Sequence, residues 1–180
     1  MNARALHCLP LVPLLALAAC GDGATDDEGN NGTTTFPAEL EVCNPANGPF
    51  SATIDNPWLP MAVGDVHVIE GLEAGVDPSR NRSTVLDETE EVFGVTTRVV
   101  MHENWEGEDL DELVAMSRNF FAQAPDGTVC SFGEAEDIFE DGELVEKEEW
   151  RAGEDGALPP IAMPGNPEVG LIFYAAYRPE

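Results

Sequence analysis

Residues 137–148, DIFEDGELVEKE, carry acidic side chains in an arrangement close to that of a calcium-binding loop. Four residues match the first, fifth, sixth and twelfth positions of the helix–loop–helix calcium motif: Asp137, Asp141, Gly142 and Glu148. The third position, which needs an oxygen ligand, holds Phe139, and the flanking segments lack a helical pattern. Because Asp-Gly is also a preferred two-residue turn between antiparallel strands, we predict a β-hairpin here rather than a helix–loop–helix calcium site.

The hairpin predicts a carboxylate cluster of its own. A two-residue turn pairs Glu140 with Glu143, Phe139 with Leu144, Ile138 with Val145 and Glu136 with Lys147. In the same register Asp137 lies opposite Glu146, and Glu148 follows on the same face. Clusters of carboxylate oxygens bind hard cations, so these three residues are a candidate calcium site, and calcium is the one cofactor suggested. The alternative is a solvated acidic surface.

Two histidines lie beyond the amino-terminal leader, His67 and His102, on different predicted strands. As a zinc pair they would need a further ligand, for which Cys43 or Cys130 would have to remain reduced. The chain has no Gly-x-Ser-x-Gly, phosphate-binding glycine loop or His-Glu-x-x-His motif. We therefore predict no catalytic residue. A hydrolase is kept as an alternative, which a histidine meeting acidic side chains in a cleft would support.

The aromatic side chains suggest a binding site of another kind. Four of them fall on neighbouring predicted strands: Trp105, Phe120, Phe121 and Trp150. A curved sheet that gathers them on its concave side would hold an apolar ligand. The alternative is that they form the core, because a sheet domain buries its large apolar side chains at about 25 cal/mol per Å².

The amino terminus resembles a bacterial lipoprotein signal. A short apolar run leads to small residues and Cys20, as signal peptidase cleavage and lipidation require. The apolar run is too short for a bilayer core of about 30 Å. We predict a signal peptide over residues 1–19, a lipidated, flexible, acidic and Gly-rich tether over residues 20–40, and a β-rich domain over residues 41–180. This places the protein outside the cytoplasm, anchored to the cell envelope on its periplasmic face or at the cell surface.

The charge of the chain limits its partners. Eight Lys and Arg side chains stand against 35 Asp and Glu side chains, a formal net charge of −27. Such a surface repels nucleic acid and anionic lipid headgroups. Membrane attachment must therefore come from the acyl chains on Cys20, each of whose buried methylenes is worth about 0.8 kcal/mol.

Two cysteines remain in the predicted domain, Cys43 and Cys130. In an oxidising compartment we expect them to form one disulfide. In the chain-entropy model, closing so long a loop stabilises the folded protein by about 4 to 5 kcal/mol. A reactive or metal-binding thiol pair is the alternative, without a Cys-x-x-Cys or cysteine–histidine cluster to support it.

Glycines punctuate apolar, strand-like segments throughout the domain, as in a succession of hairpins. The predicted strands are residues 64–70, 82–92, 95–105, 110–123, 128–133, 136–140, 143–151 and 169–177. Residues 110–117 also keep helical spacing, but hairpin signals on both sides favour a strand. We predict an all-β fold, with one antiparallel meander twisted into a half-barrel or an open sandwich.

From about residue 56 onward the chain resembles a group of uncharacterised bacterial secreted proteins and lipoproteins. The resemblance rests on NPWLPMAVGDVHVIEG, TRVVMHENWEGEDLDE, RNFFAQAPDGTVCSFGE, and DIFEDGELVEKEEWRAGEDGALPPIAMPGNPEVG, with the Tyr and Pro of the final YRPE. It implies a secreted, strand-rich domain and assigns no catalytic residue. Pro160 stands where relatives carry glycine, and relatives continue past residue 180 into further strands. A truncated sheet would leave one edge unpaired.

The sequence thus predicts a membrane-anchored lipoprotein outside the cytoplasm. Its domain is expected to be a non-enzymatic module that binds an apolar small ligand or another envelope protein. A calcium-binding domain and a hydrolase are the alternatives.

Overall fold

The computed structural model describes residues 38–73 and 77–173, which form an all-β fold. Two short 3₁₀ helices come first, Ala38–Cys43 and Pro45–Asn47. The strands are β1 (Val66–Glu73), β2 (Asp77–Val92), β3 (Val95–Glu106), β4 (Glu112–Gln123), β5 (Val129–Glu140), β6 (Glu143–Arg151) and β7 (Ile161–Met163).

The strands form one antiparallel sheet that curls into a half-barrel. Strands β1 to β6 lie side by side in chain order, and β7 pairs with β5 beyond the end of β6. The predicted meander and half-barrel are therefore confirmed.

Two tight hairpins follow directly from local chemistry. Phe93 and Gly94 join β2 to β3, and Asp141 and Gly142 join β5 to β6. All four residues have positive φ, from 51° to 78°. Two consecutive residues in that region make the type I′ turn, whose twist matches that of the strands. The predicted Asp-Gly hairpin is confirmed at its turn.

The predicted strands match the observed ones closely, with three differences. Residues 128–133 and 136–140 belong to a single strand, β5. The short strand β7 was not predicted. Residues 169–173 of the last predicted strand form a turn followed by chain without regular secondary structure, and residues 174–177 lie outside the described part. The 3₁₀ helix beginning at Ala38 and the buried Leu40 fall in the predicted tether, so ordered structure begins at least three residues before the expected boundary.

The predicted signal peptide, the lipidated Cys20 and the tether up to residue 37 lie outside the described residues. No helical segment among the described residues has the length and apolar character that a transmembrane helix needs.

Apolar clusters pack on both faces of the sheet. Val99 and Phe120 belong to a cluster that includes Leu40 and Leu158, whereas their chain neighbours Val100 and Phe121 belong to a second one. Successive strand residues point to opposite faces, so the two clusters lie on opposite sides. We call the face of Val99 and Phe120 the back face, and the face of Val100 the belt face.

The structure forms the predicted disulfide between Cys43 and Cys130, with the two sulfur atoms 2.00 Å apart. Both residues are fully buried in the cluster of the back face. The bond joins the first 3₁₀ helix to β5, so it fastens the amino-terminal segment onto the sheet.

Candidate functional site

A row of polar side chains crosses six strands on the belt face. Its members lie directly opposite one another from β1 to β6: His67, Ser83, His102, Ser117, Glu136 and Glu148. We call this row the polar belt. Ser117 at its centre is only 4% exposed. Because polar groups that converge on one face of a sheet can orient a ligand, the belt is a candidate site.

A cleft of about 450 Å³ lies at the β1 end of the polar belt. Segment 58–61 forms one wall and strands β1 to β3 form the other, and the lining is Trp58, Leu59, Pro60, Met61, His67, Val68, Ile69, Ser83, Val85, Val100 and His102. We call it the apolar cleft. Trp58 and Ile69 are 62% and 70% exposed. Its volume and its composition, mainly apolar with a few polar groups, are those of small-molecule sites.

Asn56 holds the wall of the apolar cleft in place. Its side chain is buried, and Oδ1 accepts hydrogen bonds from the backbone nitrogens of Trp58 (2.8 Å) and Leu59 (3.0 Å). Its Nδ2 donates to the carbonyl oxygens of Gly127 (2.8 Å) and Pro164 (3.1 Å). Local side-chain bonds of this kind define a turn. Asn56 therefore fixes the turn that positions Trp58 at the cleft.

His102 occupies the middle of the belt face. Its Nδ1 lies 3.5 Å from Nδ2 of Asn119, which also donates a 2.8 Å hydrogen bond to Oγ of Ser117. Burial lowers the pKa of His102, and the nearby negative charge of Glu134 opposes that shift in part. Desolvation penalises the charged imidazolium, so the ring favours the neutral form, which can both donate and accept hydrogen bonds.

A second cleft, of about 380 Å³, lies at the β6 end of the polar belt. Its lining is Glu134, Glu136, Glu148, Glu149 and Trp150, and we call it the acidic cleft. Burial raises the pKa of Glu136, and the like charges of Glu134 and Glu148 raise it further. Crowding of carboxylates favours the protonated form, so this end of the belt is suited to accept positive charge.

The predicted calcium site is not assembled. The expected register holds from the turn to Phe139 and Leu144, but Ile138 then pairs with Glu146, which leaves Val145 as an extra residue on β6. This bulge moves Asp137 opposite Lys147, and the two side chains form a 2.6 Å salt bridge.

Because strand residues alternate in direction, Asp137 lies on the back face whereas Glu146 and Glu148 lie on the belt face. Within the described part of the chain, no group of three or more His, Cys, Asp or Glu side chains is arranged to hold a metal ion. Calcium binding elsewhere stays a prediction, and calorimetry with Ca²⁺ would test it.

The four predicted ligand-binding aromatics do not share a groove. Phe120 is buried on the back face, with the Arg151 guanidinium 3.9 Å from its ring centre, and Phe121 packs in the cluster of the belt face. Trp105 points to the back face, opposite Leu113 and Arg80. Trp150 lines the acidic cleft. The alternative interpretation as core therefore applies to Phe120 and Phe121.

Sequence reasoning did not identify the polar belt, although the signal is present. Polar residues recur at alternate positions on what the structure shows to be β2 to β5: Asn81 and Ser83, His102 and Asn104, Ser117 and Asn119, Glu134 and Glu136. A period of two places each pair on one face. Which pairs meet depends on strand register, and the sequence alone does not provide it.

Comparison with known proteins does not assign this chain to a family. The chain matches no family model, no curated protein and no solved structure.

Proposed function

We propose that this protein is a non-enzymatic binding module outside the cytoplasm, anchored to the membrane through acyl chains on Cys20, and that it holds a small apolar or amphipathic molecule in the apolar cleft. The observation that carries the proposal is the cleft itself, which is lined by the exposed Trp58 of one wall and by Ile69, Val85 and Val100 of the other. The lipidated terminus is the sequence-based part of the proposal.

The energetics favour an apolar occupant. Apolar surface removed from water stabilises a complex by about 25 cal/mol per Å² before the costs of association. The cleft offers such surface from both of its walls, and the hydrogen bonds of Asn56 hold the outer wall before a ligand arrives. A preformed site avoids the cost of ordering. His67, Ser83 and His102 supply the few polar contacts that orient a ligand.

A titration with the neutral fluorescent probe N-phenyl-1-naphthylamine tests the proposal. The full chain with Cys20→Ser is used, so that no acyl chain competes for the cleft. We expect saturable binding with enhanced probe fluorescence. Ile69→Ser should weaken the binding at least about tenfold, because it removes an apolar side chain from the cleft.

The matched control is Val145→Ser, which makes a similar change at a 52% exposed position on β6, outside the apolar cleft. The control should bind like the unchanged chain. Absence of saturable binding, or equal weakening by both variants, would contradict the proposal.

A hydrolase is the second candidate, because His102 lies opposite Ser117 and the negative charge of Glu134 acts on its pKa. Against it, Ser117 is 4% exposed, and its Oγ accepts a hydrogen bond from Asn119. A nucleophile needs a base within hydrogen-bonding reach and access to substrate. Turnover of p-nitrophenyl esters that is lost in both Ser117→Ala and His102→Gln would favour this candidate over the binding module.

A further inference from the structure

We infer that the apolar cleft binds an uncharged apolar alcohol, whose hydroxyl group accepts a hydrogen bond from His102 and donates one to Ser83. The inference rests on the proposed function, since it names the class of ligand for the same cleft.

The lining of the apolar cleft does not suit an ion. Among the residues that the structure describes, this lining contains no Asp, Glu, Lys or Arg side chain. Each Lys and Arg side chain of residues 38–73 and 77–173 already forms an ion pair with a carboxylate. Moving a charged headgroup from water into an apolar site without a counterion costs free energy, and the acidic chain repels an anion in addition. The cleft therefore favours an uncharged ligand.

His102 offers a hydrogen-bond donor to the cleft that it lines. Burial lowers the pKa of His102, which favours the neutral ring. Nδ2 of Asn119 has only hydrogens to give, so its 3.5 Å contact with Nδ1 of His102 requires this ring nitrogen to accept. The single ring proton then lies on Nε2. No described residue accepts from Nε2, and this atom is not buried, so the N–H group is available to an oxygen atom of a ligand.

Ser83 offers an acceptor directly opposite His102 on the neighbouring strand. Its Oγ donates its one hydrogen to Oδ1 of Asn81 at 3.1 Å, because an amide oxygen can only accept. Nδ2 of the same amide is engaged with Oδ1 of Asn104 at 2.6 Å, which fixes the orientation of the Asn81 side chain. The lone pairs of Ser83 Oγ are therefore left for a donor in the cleft.

A hydroxyl group matches this pair of sites. It is both a donor and an acceptor, so it can bond to Nε2–H of His102 and to Oγ of Ser83 at once. An ether or a ketone can only accept, and a hydrocarbon can do neither. Residues directly opposite each other on antiparallel strands have Cα atoms about 4.5 to 5.5 Å apart, so one oxygen atom can reach both side chains. The apolar body of the alcohol then lies against Trp58 and Val85.

Calorimetric titrations with four compounds of similar size test the inference, in the full chain with Cys20→Ser, at neutral pH and below micelle concentrations. The compounds are 1-octanol, its isomer 1-methoxyheptane, octanoate and octyltrimethylammonium. We expect 1-octanol to bind about two- to tenfold more tightly than the ether, which is the value of one hydrogen bond. Both ions should bind more weakly than 1-octanol.

Two variants separate the two hydrogen bonds. Ser83→Ala should weaken the binding of 1-octanol about two- to tenfold and leave that of the ether unchanged, because the ether has no hydrogen to donate. Retained ether binding also shows that this variant keeps its cleft. His102→Phe should weaken both ligands, because both accept from Nε2–H. The matched control is Ser79→Ala, which makes the same substitution on the same face of β2 outside the cleft, and it should change neither.

Equal binding of alcohol and ether to the unchanged chain would overturn the inference, and so would an ion that binds as tightly as the alcohol. An equal loss for both ligands in Ser83→Ala would also overturn it, because the loss would not depend on the hydroxyl hydrogen. Binding of none of the four compounds would overturn it as well. The probe titration reports separately on the proposed function, which stands if the probe still binds in the cleft.

Discussion

On the back face of the sheet Arg82 pairs with Glu103 at 3.1 Å and Lys147 pairs with Asp137 at 2.6 Å. On the belt face Glu136 lies directly opposite Glu148, and no described Lys or Arg forms a salt bridge with either. The same sheet thus carries neutralised acids on its back face and crowded acids on its belt face.

The back face therefore carries the groups that stabilise the fold, and the belt face carries the groups that are available for binding. The back face holds the disulfide, the larger apolar cluster and most of the ion pairs. The belt face holds amide, hydroxyl, imidazole and carboxyl groups around two clefts. Functional sites commonly reduce the stability of the protein that carries them, and the pattern of the belt face fits that cost.

The largest expected effect on stability comes from removing the disulfide on the back face. Replacing both Cys43 and Cys130 by alanine should lower the free energy of unfolding by about 4 to 5 kcal/mol, because the unfolded chain loses the constraint of an 87-residue separation. Urea unfolding followed by circular dichroism measures it. The unchanged protein in excess reductant serves as the control, and an unchanged midpoint in both would show that the loop closure adds nothing.

Neighbouring residues on opposite faces of β4 sharpen the comparison. Phe120→Ala should cost about 3 to 5 kcal/mol, because it leaves a cavity in the buried cluster. Asn119→Ala should cost only about 0.5 to 1.5 kcal/mol, the net value of a hydrogen bond such as the one to Ser117. Equal losses in urea unfolding would contradict the division of roles between the faces.

Giving Glu136 a counterion should partly erase the difference between the faces. Glu148→Lys places an ammonium group opposite Glu136, and we expect it to stabilise the fold by about 0.2 to 1 kcal/mol. The control is Glu143→Lys opposite Glu140 at the turn. A gain of the same size in the control would show that total charge matters rather than the cleft.

The smallest expected effect is a pH dependence of opposite sign at two belt residues. The folded-state pKa of Glu136 is raised above 4.5 by burial and then by Glu134 and Glu148. Its ionisation therefore opposes folding, fully so above the raised pKa, and this penalty disappears as the pH falls toward 4.5. The folded-state pKa of His102 is lowered from 6.5, mainly by burial. Its neutral form favours folding above pH 6.5, and that contribution is lost as the pH falls below 6.5.

Urea midpoints at pH 5 and pH 7 separate these contributions. Relative to the unchanged protein, Glu136→Gln should be more stabilising at pH 7 than at pH 5, and His102→Gln should be more favourable at pH 5 than at pH 7. Glu143→Gln is the charge-matched control for the first variant. Parallel pH profiles of all the proteins would contradict the assignment of either pKa shift to the belt.

The hairpin at Asp141 and Gly142 illustrates how far prediction from sequence reaches. The turn and its first two residue pairs were correct, and the pairing failed only beyond the bulge at Val145. One extra residue moved Asp137 to the other face and separated the predicted metal ligands. The apolar cleft was missed because segment 58–61 carries no strand pattern, although Trp58 between two prolines was visible.

The sequence by itself determined the class of fold, the hairpin turns and the pairing of Cys43 with Cys130. Period-two alternation, the positive φ of Asp-Gly turns and the presence of two cysteines in the domain are local or compositional facts that need no knowledge of distant contacts. Only the tertiary structure decided which polar residues share the belt and where Trp58 lies. Those outcomes depend on strand register and on bonds such as that of Asn56 to Pro164, 108 residues away, which no local pattern encodes.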